Sequence, residues 1–350
     1  MLKTLRVCLA LLLLIALFGC DNNDRKAAEY HHSSLHFGTL IDITLYGVST
    51  EKAQQVFNKL DEDFAYFHTN WSPWEAGSLR RTNGLLKTGA TFSAGPSVLS
   101  LIKKSTELSA KTDHLFNPAI GQLINLWQFH RADEETIRPP EDSAIQALLK
   151  QNPQLSDIEI QGIKIRSRNP AVQLNFGAFA KGYAIDLEIQ LLKSLGIENA
   201  IINAGGDLKT LGSHGDRPWR IAIQHPRQDT WLAQLETRNE ESLFTSGDYE
   251  RYYLYQGRRY HHILDPRTGY PARGSQSVTV LHTDSGLADA AATALFIAGP
   301  DHWMEIARKL GLKEVMLIDA SGTVYVTPEM RQRLRFNPQI QTTIIVTAAL

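Results

Sequence analysis

From Leu35 to Leu350 the chain contains no low-complexity break, no internal repeat and no Pro/Gly/Ser-rich linker. A stretch of this length without a separator holds enough residues for one substantial core, so it is expected to fold as a single continuous unit. The predicted elements follow from periodicity and punctuation. A short strand is expected at Thr39 to Tyr46, then a helix from about Thr50 to Thr69 with Ala53, Val56, Phe57, Leu60 and Phe64 at helical spacing. A second helix is expected from Pro96 to Thr112, and a third from Phe179 to Leu195, closed by Gly196. Asn199 to Asn203 reads as a buried strand running into Gly205-Gly206. Glu250 to Leu264 reads as a hairpin around a Gln256-Gly257 turn, ended by a second turn at Asp265-Pro266-Arg267-Thr268-Gly269. After a strand at Ser277 to His282 comes an alanine-rich helix from about Leu287 to Ile297, with Ser285 as expected N-cap and Gly299-Pro300 as stop signal. Strands and helices mix without strict alternation, which points to an α+β fold rather than a doubly wound sheet.

The first residues are excluded from that fold. Lys3 and Arg6 precede an apolar run, Val7 to Phe18, that is shorter than the roughly 20 residues needed to cross a bilayer. Residues 1–19 therefore read as an export signal. The run ends in Leu17-Phe18-Gly19-Cys20, which is similar to a bacterial lipobox, so Cys20 is expected to carry lipid after cleavage. Asp21 then implies retention on the periplasmic face of the inner membrane. Of the two cysteines, Cys8 would leave with the signal and Cys20 would be acylated, so no thiol remains for a disulfide, zinc or nucleophilic catalysis. Residues 20–34 are expected to be the lipidated cysteine and a flexible tether, and residues 35–350 the domain. Without Lys3 and Arg6 the chain has 34 basic against 37 acidic residues, no footprint for nucleic acid.

Asp289 and Thr293 lie four residues apart on the alanine-rich helix, which puts a carboxylate and a hydroxyl on one face. Such hard oxygens suit Mg²⁺, although a helix-dipole aspartate and a back-bonded threonine have the same spacing. Asn175 to Tyr183 lacks the order of a P-loop but leads small residues into a helix N-terminus, where amides and Lys181 could meet phosphate; a snorkelling lysine is the plain alternative. Asn203-Ala-Gly-Gly-Asp207 offers close backbone approach to a ligand or simply a tight turn. Ser246 has no Gly-x-Ser-x-Gly elbow, and no His-Glu-x-x-His or Cys-x-x-Cys pattern occurs, so serine-hydrolase and zinc readings fail. His261 or His262, beside Asp265, is either a base near neutral pH or a structural histidine bonded to the turn.

Six segments in order resemble the ApbE family of FAD:protein FMN transferases. They are Phe116 to Trp127, Gly177 to Asp186, Asn203 to Asp207, Thr245 to Tyr249, His262-Ile-Leu-Asp-Pro-Arg-Thr-Gly-Tyr-Pro271 and Ala288 to Thr293. The resemblance implies one α+β domain with mixed or antiparallel sheets and packed helices, and FAD in a cleft with Mg²⁺ at its diphosphate. It implies Mg²⁺ ligation by Asp289, Thr293 and the Ala178 carbonyl. It implies FAD contacts from Phe37, Trp71 (or Trp74), Leu115, Phe116, Asn117, Asn175, Lys181 and His262, and acid–base roles for His262 or Asp265. Asn117 and Asn175 stand where the family commonly has Asp, which moves proton transfer toward His262 or Asp265. The implied reaction passes FMN from FAD to a Thr or Ser hydroxyl of a target flavoprotein and releases AMP. The implied targets are subunits of membrane electron-transfer complexes of the sodium-pumping NADH:quinone reductase type. Two other readings remain at this point: a pyrophosphatase that splits FAD into FMN and AMP, and a non-catalytic flavin-binding lipoprotein.

Overall fold

A computed structural model describes residues 28–129 and 137–350, so the expected export signal and Cys20 lie outside the described residues. Its frame is a nine-stranded sheet. Numbered along the chain, the strands are β1 (Glu29–His36), β2 (Thr39–Tyr46), β3 (Ala200–Ala204), β4 (Asp207–Leu211), β5 (Ser242–Gly247), β6 (Ser275–His282), β7 (Glu314–Asp319), β8 (Val324–Val326) and β9 (Ile344–Val346). Their order in space is their order in sequence, from β1 at one edge to β9 at the other. Every neighbouring pair is antiparallel except β8 with β9.

The helices are α1 (Thr50–Trp71), α2 (Ser78–Leu86), α3 (Pro96–Lys111), α4 (Gly121–Trp127), α5 (Asp142–Leu149), α6 (Ala180–Ser194), α7 (Ser285–Lys309) and α8 (Pro328–Arg333). Side chains alternate across the central strands. Along β7, Val315 and Leu317 enter the main core with α1, α3, α6 and α7, while Met316 and Ile318 join a second core. That second core lies under a three-stranded sheet of Arg220–Gln224, Trp231–Glu236 and Arg335–Phe336. The sheet is therefore covered on both faces, which is why Ser275–His282 is buried along nearly its whole length.

The α+β expectation holds, and most predicted elements appear within two residues of their expected limits. On α1 the five apolar residues at helical spacing are all buried. Gly196 ends α6 with φ +73°, a value that glycine adopts without strain. Tyr252–Tyr255 and Arg258–His261 form the expected hairpin, with Gln256 and Gly257 at φ 50° and 74°. Two positive φ angles match the twist of a tight hairpin turn. The turn after it closes through the Gly269 N–H to the Asp265 carbonyl at 2.8 Å, and the buried Trp127 indole donates to the Gly269 carbonyl at 2.8 Å.

Three expectations are corrected. Residues 29–34 belong to strand β1 rather than to the tether. Their low apolar content suits an edge strand, held by backbone bonds to β2 with polar side chains at alternate positions. The cap of α7 is Asp284, whose side chain accepts from the Leu287 N–H; Ser285 is already helical. Gly299-Pro300 does interrupt α7, with Gly299 at φ 71° and ψ 179°, but Pro300 starts a new helical run at once instead of ending the element.

Candidate active site

The N-terminal ends of α6 and α7 cross at close range, and the close approach depends on one residue. A Cβ on Gly182 would stand 2.2 Å from the Ser285 carbonyl oxygen and 3.0 Å from the Asp289 Cβ. The Gly182 N–H, one of the first-turn amides of α6, donates to Asp289 Oδ2 at 3.0 Å, so a carboxylate caps the positive end of that helix from outside. Asp186, one turn further along α6, accepts from the Ser285 and Gly286 N–H groups at 2.9 and 3.1 Å. It also pairs with Lys209 at 2.6 Å, so each helix end is held by an acid of the other.

Asp289 is buried. Burial pushes its carboxyl up to about 7, against the pull of Lys181, while Asp207 and Glu250 raise it further. Among the described residues its second oxygen, Oδ1, receives no hydrogen bond. Thr293, one turn on, has its hydroxyl 3.1 Å from Ser246 Oγ at the end of β5. Lys181 forms an ion pair with Asp207, whose other oxygen accepts from the Thr245 N–H at 2.9 Å. Glu250 is likewise pushed up to about 7 by the protein around it, opposed by Lys181. One lysine thus faces three carboxylates.

Asp289 and Thr293 offer a carboxylate and a hydroxyl, with an unserved carboxylate oxygen and excess negative charge nearby. These are the hard donors that Mg²⁺ prefers. Mg²⁺ commonly takes only one or two protein side chains and completes its shell with water and phosphate. The residues present fit Mg²⁺.

A chain of aromatic rings links the other expected contacts. Phe37, in the turn between β1 and β2, lies 6.5 Å from Trp71; Trp71 lies 5.7 Å from Tyr183; Tyr183 stacks at 5.6 Å on Phe179; and Phe179 is 6.2 Å from Phe116. This line passes the head of α6. Trp71 is enclosed, only 4% exposed, between Phe67, Phe37 and Tyr183, whereas Trp74 is 39% exposed. Leu115 and Phe116 are buried, and their backbone N–H groups donate to the Thr112 carbonyl and hydroxyl at 3.0 and 3.3 Å. Asn117 accepts from the Ala119 N–H at 3.0 Å and donates to the Pro153 carbonyl at 2.9 Å. Asn175 accepts from the Gly177 N–H at 2.9 Å, and its own N–H donates to the Pro118 carbonyl at 2.8 Å. The two asparagines shape adjoining turns, and the second turn carries half-buried Ala178 into α6.

The two histidines differ. His261 is buried and hydrogen-bonded to the Ala272 carbonyl at 2.9 Å, the structural role. His262 is half-buried, with Nδ1 3.3 Å from the Arg251 carbonyl. A carbonyl only accepts, so Nδ1 carries the proton and Nε2 keeps its lone pair. Burial first, then Arg251, holds His262 well below the ordinary imidazole range, and Lys181 is among its charged neighbours. Asp265 is committed elsewhere: Arg267 takes both oxygens, at 3.0 and 2.8 Å, and its backbone N–H adds a third bond. Sequence reading placed Asp207, Gly182 and Asp186 in motif segments but gave none of them a role of its own. The available signal was an acid directly after Gly-Gly for the first and the Gly177 to Asp186 segment for the others, whose part in the helix crossing sequence does not encode.

Residues 37–317 match the sequence model of the ApbE family. A FAD:protein FMN transferase of Rhodobacter capsulatus is 41% identical over 299 residues, 85% of this chain but only 57% of that protein's length. One from Vibrio cholerae is 29% identical over 89% of this chain and 92% of its own. The crystal structure of an ApbE protein from Thermotoga maritima superposes with a TM-score of 0.80 at 29% identity, covering 88% of this chain and all of that one. With a match across most of its length and a shared architecture, the chain belongs to the ApbE family.

Proposed function

We propose that this chain transfers FMN from FAD to a threonine or serine hydroxyl of a target flavoprotein, with Mg²⁺ as cofactor. The observation that carries the proposal is the buried Asp289 at the head of α6, beside Lys181 and one turn from Thr293, in a member of a family whose named relatives are FAD:protein FMN transferases. Asp289, Thr293 and the Ala178 carbonyl would hold Mg²⁺, which supplies Lewis-acid charge withdrawal from the diphosphate, typically worth several kcal/mol. Lys181 would face the same charge. His262 Nε2, neutral because its pKa is depressed, accepts the proton as the acceptor hydroxyl oxygen attacks the FMN-side phosphorus. The bond from that phosphorus to the bridging oxygen breaks and AMP leaves with the bonding pair. Phe37, Trp71 or Trp74, the 115–117 segment and Asn175 would hold the remainder of FAD.

The leader supports a further part of the reading: export, lipidation at Cys20, and residence on the periplasmic face of the inner membrane. There a shared membrane raises the effective concentration of an acceptor in an electron-transfer complex of the sodium-pumping NADH:quinone reductase type. Incubation of the protein with FAD, Mg²⁺ and a candidate acceptor domain, followed by acceptor mass and AMP release, tests the chemistry. An FMN-sized mass gain lost with EDTA supports transfer. AMP without mass gain means FAD hydrolysis, and binding with neither product means a flavin carrier.

A further inference from the structure

We propose that Asp207 is a positioning residue whose task is to hold the Lys181 ammonium away from the Asp289 carboxylate, so that Asp289 stays free for a divalent cation. The proposal rests on the reading of Asp289 and Thr293 as the Mg²⁺ site.

Lys181 and Gly182 are adjacent on the first turn of α6, and the Gly182 N–H already holds Asp289 Oδ2 at 3.0 Å. The Lys181 side chain therefore starts one residue from a buried acid, and Asp289 is among the charges acting on its ammonium. An unrestrained lysine in that position would close onto Asp289 Oδ1, the oxygen that receives no hydrogen bond among the described residues. A lysine there and a metal ion there exclude each other, because both need the same lone pairs.

The structure instead has Lys181 on Asp207. Asp207 is well placed to keep it. It is only 4% exposed and opens β4 directly after the Gly205-Gly206 turn, in register with Ala204. Its Oδ1 is fixed by the Thr245 N–H at 2.9 Å, which leaves Oδ2 for the ammonium. The turn lies close to the start of β2: Gly205 has φ +66°, and a Cβ there would stand 2.2 Å from Thr39 Oγ1. Strand β5 serves both halves of the arrangement. Thr245 fixes Asp207 through its backbone, and Ser246 meets Thr293 through its hydroxyl.

The test is direct Mg²⁺ binding by titration calorimetry on the FAD-free protein, with thermal unfolding as a check on folding. Asp207→Asn keeps an oxygen for the Thr245 N–H but gives up the charge that retains Lys181. It is expected to weaken Mg²⁺ binding about tenfold. Lys181→Met alone is expected to leave binding unchanged or tighten it several-fold. The double variant is expected to behave like Lys181→Met, restoring what Asp207→Asn lost, a rescue that a merely structural aspartate would not give. Wild-type binding with an unchanged Asp207→Asn variant, or a double variant as weak as Asp207→Asn, overturns the proposal alone. Weaker binding in Lys181→Met overturns it even if Asp207→Asn does not fold. Absence of Mg²⁺ binding in the wild type would instead overturn the metal assignment, and this proposal with it.

Discussion

Gly182 and Gly84 sit in helices under opposite conditions, and the same substitution at each separates helix propensity from packing. Alanine in place of a helical glycine favours the helix by about 1 kcal/mol. At Gly84, in α2, a new Cβ meets nothing within 4 Å, so Gly84→Ala should raise stability by up to about that amount. At Gly182 the new Cβ stands 2.2 Å from the Ser285 carbonyl oxygen and 2.6 Å from its carbon, backbone atoms that cannot turn aside. Relief requires α6 and α7 to separate by roughly 1 Å before ordinary contact is restored. Overpacking of this kind costs about 1–3 kcal/mol, and a fixed backbone neighbour belongs at the upper end. Net of propensity, Gly182→Ala should destabilise by about 2 kcal/mol, a fall of about 3 °C in Tm for a chain of this length. The same separation pulls the Gly182 N–H from Asp289 Oδ2, so flavin transfer should fall far more steeply than stability. Urea unfolding with matched m-values, run beside a transfer assay, reads both. A Gly182→Ala protein as stable as Gly84→Ala and fully active would refute the argument that this crossing is closed by the absence of a side chain.

Glu188 on α6 is buried, its Oε2 has no hydrogen-bond partner among the described residues, and burial with Asp63 nearby pushes its carboxyl up to about 8. The folded state therefore holds a proton that the unfolded chain releases near its ordinary value. Stability should decline as pH rises from about 4.5 to 8, by at most about 1.4 kcal/mol per unit from this group. Glu188→Gln should flatten that part of the pH–stability curve, and an unchanged slope would count against the assignment. Asp186→Ala removes the acceptor of the Ser285 and Gly286 N–H groups and leaves Lys209, only 5% exposed, without its carboxylate. A loss of about 2–4 kcal/mol by denaturant titration is expected, and Asp186→Asn should recover part of it through the two amide bonds.

The local grammar of the chain was legible. The periodic apolar residues of α1, the glycine after α6 and the Gln-Gly hairpin turn each state their conformation within a few neighbouring residues. The Asp289/Thr293 pair was legible for the same reason, since a spacing of four lies within one helix. What escaped depends on separations that sequence does not encode locally. Lys181 and Asp207 are 26 residues apart, and Gly182 and Asp289 are 107 apart. Glycine in a helix reads as a weak helix former unless the crossing helix is known. Edge strand β1 was read as tether because its stability comes from backbone pairing with β2, which leaves almost no hydrophobic trace in Glu29–His36.

The agreement between spatial and sequential strand order has one large interruption, with a consequence for the chain as it is made. Strand β2 ends at Tyr46 and its neighbour β3 begins at Ala200, so 153 residues must be synthesised before β2 can pair on that side. At roughly 5–20 residues per second that is an interval of roughly 8–30 s. During it β2 lacks its inner partner, and Ile41, Ile43 and Leu45, three of the most deeply buried residues of the finished protein, lack the core that covers them. Association of chains should concentrate in the interval before β2 and β3 pair, and a holdase that covers residues 39–46 until then would protect the step at which this fold is most exposed to aggregation.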